Sequence, residues 1–172
     1  MKPSGLAAFL KSKSAQELTE EIKTLHKLFP AVREYYQNKL SSGGTAELLA
    51  RYKKIIQHEF FPTRGHGRAR LSVARKATQD FSKLSTDASA VADILIFYVE
   101  MGVEFTCEYG DIYEAFYTSM ESMYAKAARH VVTHGLQAEF TPRLKKIVTD
   151  TRDIGWGFHD MLSDIFGEYF HQ

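Results

Sequence analysis

Apolar residues recur every three or four positions along almost the whole chain, with Asp, Glu and Lys filling the gaps between them. That spacing places apolar side chains on one face of a helix and denies them the alternation that a half-buried strand needs. It predicts an all-α protein of 172 residues with about eight or nine helices. Short breaks predict antiparallel helical hairpins in a bundle or α-α stack, and no low-complexity linker divides residues 1–172, so a single domain is expected.

Local signals mark the segments. Leu6, Phe9 and Leu10 suit a short first helix. Ser14 and Glu17 form a capping box before Leu18, Ile22, Leu25 and Leu28. Pro30 opens the next helix, which carries Val32, Tyr35, Tyr36 and Leu40. After the Ser41–Gly44 break, Leu48, Leu49, Tyr52, Ile55 and Ile56 lead to a stop before Pro62. A loop over 63–67 precedes a helix with Leu71, Val73, Ala74, Ala77 and Phe81. Ser85 or Thr86 caps a long helix over about 87–109, ended by Gly110. Asp111 and Glu114 read as a second capping box, and Thr141-Pro142 as a cap with a first-turn proline. Gly155-Trp156-Gly157 separates a last helix holding Met161, Leu162, Ile165, Phe166 and Tyr169.

The segments YKKIIQHEFFPTRGHGRARLSVARKATQDFSKL, YVEMGVEFTCEYGDIYEAFYTSMESMY and GWGFHDMLSDIFGEYF, together with FPAVREYY, resemble the bacterial domain family of unknown function DUF6155. The likeness covers most of the chain. It implies a soluble bacterial protein and supplies no catalytic residue.

Charge is unevenly distributed. Residues 1–86 hold 16 Lys or Arg against 7 Asp or Glu, and residues 87–172 hold 6 against 14. Between Arg51 and Lys76 eight cations accompany one acid, Glu59, and from Thr86 to Ala125 there is no Lys or Arg at all. Arg68 and Arg70 are therefore expected to meet Glu104, Glu108 and Asp111 on a neighbouring helix, because arginine forks suit carboxylates at partly buried contacts. The other use of Arg64, Arg68 and Arg70 is an anion site at a helix start. The Walker pattern is missing, and a net charge of +1 disfavours a nucleic-acid footprint through 51–76.

Glu100, Glu104 and Glu108 share one helical face, with each like-charge pair costing roughly 0.2–0.5 kcal/mol. They suit either a hard cation, with Glu114 and Glu121 contributing, or arginine partners and solvent. His130 and His134 are one turn apart, but Val131 stands where a zinc protease needs Glu. His159 beside Asp160, with Asp164, is a weak general-base candidate. Cys107 lies among aromatic and acidic residues and reads as a small core residue.

A lone cysteine makes an intramolecular disulfide impossible, which fits a reducing, cytoplasmic setting. No apolar run is long enough for a membrane span. With no complete catalytic or cofactor motif, the expected function is a non-enzymatic scaffold or protein-interaction module. It is expected to need no cofactor and to bind a protein partner or itself, with some of Tyr109, Tyr113 and Tyr117 offering a patch. The rival readings are a metal-dependent enzyme using the Glu stripe with His159 or His58, and a binder of nucleic acid or a phosphorylated ligand through 51–76.

Overall fold

A computed structural model describes residues 3–41 and 43–170. Among these residues there are nine helices and no strand: α1 (Pro3–Lys11), α2 (Ala15–Leu28), α3 (Pro30–Leu40), α4 (Gly44–Phe60), α5 (Leu71–Leu84), α6 (Ala88–Tyr109), α7 (Glu114–Thr133), α8 (Gln137–Asp150) and α9 (Phe158–Phe170). The fold is all-α, as the spacing of apolar residues predicts. The chain falls into two compact units, Met1–Gly44 and Thr45–Gln172.

The first unit consists of α1, α2 and α3. Ser14 and Glu17 cap α2 reciprocally, with the Ser14 N–H 2.9 Å from Glu17 Oε2 and the Glu17 N–H 3.2 Å from Ser14 Oγ. The Ser14 backbone N–H, then its hydroxyl and Lys13, draw the Glu17 carboxyl down to about 2. Phe29 ends α2 and Pro30 starts α3 at its first helical positions. None of the described hydrophobic side chains in this unit is buried.

The second unit holds the whole core cluster, from Leu48 to Phe166. Helix α6 is its centre, with Val91, Ile94, Leu95, Tyr98, Val99 and Phe105 among its buried residues. Asp87 caps it by accepting the Ser89 and Ala90 N–H groups at 2.9 and 3.2 Å, and Gly110 ends it at φ 82°. A Cβ on Gly102 would lie 2.2 Å from Met120 Sδ, so the bare glycine lets α7 close on α6. Buried hydroxyls are paired: Tyr124 donates to the Leu144 carbonyl at 3.0 Å, and Tyr98 lies 3.1 Å from Ser119 Oγ.

Three local expectations are corrected. Helix α7 has no capping box: Tyr113 is its N-cap and gives no side-chain bond. Asp111 instead receives the Tyr117 hydroxyl at 3.4 Å, while the Ile112 N–H donates to that hydroxyl at 3.2 Å. Helix α8 begins at Gln137, with Pro142 inside it. Extending the helix forward buries Phe140 to 3% exposure. That burial gives about 2–3 kcal/mol, which offsets most of the roughly 3 kcal/mol that an interior proline costs through its missing N–H and its ring clash. Cys107 is exposed on α6 rather than in the core. Burial of its surroundings, then Asp150 and Glu104, still push its thiol upward.

Candidate functional site, a basic cavity at the start of α5

Segment 61–70 links α4 to α5 and lines, with the end of α4, a half-open cavity of about 450 Å³. Its charged and polar walls come from His58, Glu59, Arg64, His66, Arg68 and Arg70. The backbone path is fixed at several points. The Ala69 N–H donates to the Glu59 carbonyl at 2.8 Å. Gly67 sits so close to Phe60 that a Cβ would be 1.7 Å from its carbonyl oxygen. Phe61 stacks on Tyr109 at 6.3 Å, His66 meets the same ring edge-on at 6.2 Å, and Phe60 and Phe61 both pack on Phe105. Ala69 takes φ 43°, a strained value for a residue with a Cβ.

The expected pairing of Arg68 and Arg70 with α6 does not form. Arg70 forks onto Glu59, Nε to Oε2 at 2.7 Å and Nη2 to Oε1 at 2.8 Å. Glu59 is only 5% exposed, so its carboxylate requires a partner, and Arg70 stands next to it in space. Hydrogen bonding to Glu59, then its charge, raises the Arg70 pKa. Arg64 and Arg68 are exposed and make no ion pair among the described residues. Glu59 is the one acid among the cations of 51–76, and that isolation was the sequence signal for its role.

The acidic face of α6 is served from elsewhere. Arg143 of α8 forks onto Glu100 at 2.9 and 2.7 Å and reaches Asp93 at 2.6 Å. Lys53 of α4 holds the other Asp93 oxygen at 2.7 Å. Burial pushes the Asp93 carboxyl up, but the Lys53 and Arg143 bonds and charges outweigh it and hold the group below its ordinary value. Glu104 and Glu108 are exposed. Among the described residues no group of three His, Cys, Asp or Glu side chains is placed to hold a metal ion. The expectation that the basic middle closes against the acidic stretch is met by Lys53 with Asp93 and fails for Arg64, Arg68 and Arg70.

The histidine candidates serve helix ends. His159 Nδ1 lies 3.0 Å from the Val148 carbonyl and 3.2 Å from Thr151 Oγ1. A carbonyl only accepts, so Nδ1 carries the proton it donates there, at the C-terminal end of α8. Asp160 is exposed in the first turn of α9, where a negative charge favours the helix dipole. The rings of His130 and His134 are 4.2 Å apart, and His130 Nε2 donates to the Ala88 carbonyl at 2.9 Å. Of the three tyrosines, Tyr117 is buried, while Tyr109 and Tyr113 are exposed at the rim of α6 and the start of α7.

A family model described as a family of unknown function, DUF6155, matches residues 1–170. No curated protein matches the chain, and no solved structure does.

Proposed function

This chain belongs to the family of unknown function DUF6155, and on that premise we propose that it is a non-enzymatic interaction module that pairs with a second copy of itself through its N-terminal unit. The observation that carries this reading is the surface of that unit. Leu6, Phe9, Ile22, Leu25, Leu28, Phe29 and Leu40 are 40–81% exposed, in a unit where none of the described hydrophobic side chains is buried. Three short helices of this kind cannot stabilise themselves and need another surface.

A second copy fits on two grounds. Leu18, Ile22 and Leu25 are spaced four and three apart on α2, the seam of a helix pair. The charges of α2 are also divided along its length: Glu17, Glu20 and Glu21 lie in its first half, and Lys23, His26 and Lys27 in its second. An antiparallel copy related by a two-fold axis sets each acidic half against a basic half. Each half-exposed large side chain adds roughly 1 kcal/mol on burial. Set against the cost of association, that gives a Kd on the order of micromolar. Such a module fits a cytoplasmic setting, since the one cysteine has no disulfide partner within the chain.

Sedimentation velocity across a micromolar concentration series tests the reading. The wild type is expected to run with the mass of two chains, and I22E/L25E with the mass of one. A wild type that stays single at every concentration overturns it. The metal-enzyme reading has less support, because its leading residue, Glu100, gives both carboxylate oxygens to Arg143.

A further inference from the structure

The cavity at the start of α5 has an unbalanced charge. Arg70 and Glu59 neutralise one another. Arg64 and Arg68 have no carboxylate partner among the described residues, which leaves an excess of two positive charges around one half-open cavity. His58 and His66 add N–H donors to the same wall. Both arginines line this cavity from a loop whose backbone is fixed by a strained Ala69 and a Gly67 pressed onto Phe60. Strain of about 1–3 kcal/mol at a non-glycine residue in the left-handed region persists only where the surroundings enforce it, and it concentrates at ligand clamps.

We propose that this cavity binds the phosphate of a small phosphomonoester, with Arg64 and Arg68 as guanidinium forks and His58 and His66 as further donors. The charge matches: a phosphomonoester carries about −1.5 to −2 near neutral pH, whereas a carboxylate offers −1 and leaves one arginine unanswered. The shape matches too. Guanidinium forks meet two phosphate oxygens at once, and about 450 Å³ lies within the range of small-ligand pockets, roughly 300–1,000 Å³. The phosphate therefore leaves room for a small polar body attached to it.

A nucleic-acid backbone is the competing phosphate source, and the surroundings disfavour it. A strand needs a continuous track of free cations. Here Lys53 is bound to Asp93, Lys76 to Asp80, and Arg75 donates to Ser119 Oγ at 2.6 Å. Lys54 is exposed but lies outside the cavity, so the free arginines form a local site. This proposal is independent of pairing through the N-terminal unit.

Calorimetric titration of the full chain tests it, with inorganic phosphate, phenyl phosphate and a single-stranded oligonucleotide as separate probes. Saturable binding of phenyl phosphate is expected, weakened about tenfold by either R64Q or R68Q. K54Q, an exposed change outside the cavity, is expected to leave it unchanged. Because Arg64 and Arg68 hold no ion pair, both variants should melt with the wild type. R64K/R68K keeps the charge without the fork and is expected to weaken binding as well. Absence of saturable binding up to roughly 10 mM, or equal binding by R64Q/R68Q, overturns the site. Binding of inorganic phosphate with exclusion of the ester overturns the ester assignment. An oligonucleotide that binds more tightly than phenyl phosphate, with a steep salt dependence lost equally in K54Q, assigns the segment to nucleic acid instead.

Discussion

Replacing Arg143 with methionine removes the residue that ties α8 to the acidic face of α6. Three bonds disappear: two to Glu100, at 2.9 and 2.7 Å, and one to Asp93, at 2.6 Å. Hydrogen bonds to charged groups contribute about 1.5–3 kcal/mol when well buried, and exposed ion pairs contribute about 0–1 kcal/mol. The Arg143 and Glu100 side chains are 33% and 30% exposed, which places them between those limits. Asp93 keeps Lys53, so its loss is the smaller share. Methionine retains most of the aliphatic stem but also loses the guanidinium carbon that lies 5.8 Å from the Phe140 ring centroid. The expected cost is about 2 kcal/mol, a fall in Tm of roughly 4–8 °C for a chain of this size. Thermal unfolding followed by circular dichroism measures it. A double-mutant cycle with E100Q should return a coupling of about 1 kcal/mol, since the two residues touch. An R143M protein that melts within about 1 °C of the wild type, or a cycle that adds without coupling, would refute the reasoning.

Two glycines separate steric from conformational need. G67A is expected to cost about 2 kcal/mol or more, because its Cβ would meet the Phe60 carbonyl oxygen at 1.7 Å and backbone must move. G65A meets open space and loses only its φ of 76°, for about 1 kcal/mol. Urea unfolding that ranks them the other way contradicts the described path of the loop. A pH series tests His130. Burial, with help from His134 and Lys126, lowers its pKa below the ordinary 6.5, against the pull of the Ala88 carbonyl. The unfolded chain then binds the proton first, so stability falls as pH drops through 6.5 toward the folded value. H130Q should show a shallower loss of Tm over that window, and an identical slope would count against the assignment.

Much of the fold is legible in the sequence because its signals are local. The Ser14–Glu17 box, Pro30, Gly110 and the 155–157 break all act within one turn of chain and lie where the sequence places them. The misplaced helix starts are those where distant burial decides. Phe140 needs the core, so α8 runs past a proline that looks like a start. Tyr117 draws Asp111 away from the N-terminus of α7. The charge pairs show the same division. Neighbouring runs of opposite sign suggest that residues near 70 meet residues near 104–111, yet the partners are set by which carboxylate is buried. Glu59 claims Arg70, and Asp93 and Glu100 claim Arg143 from a helix 43–50 residues later in the chain. His58 and His66 carry no spacing signal, since the loop's fold alone brings them to one wall.

The central functional claim is antiparallel pairing through the divided charge of α2, and a charge-swap experiment tests it most directly. E20K/E21K makes the helix basic throughout most of its length, and K23E/K27E makes it acidic. Sedimentation of each variant alone should give single chains, and an equimolar mixture should give pairs containing one of each. If both variants run alone with the same mass as the wild type, and mixing changes nothing, the charges of α2 do not face a second copy and the claim is wrong.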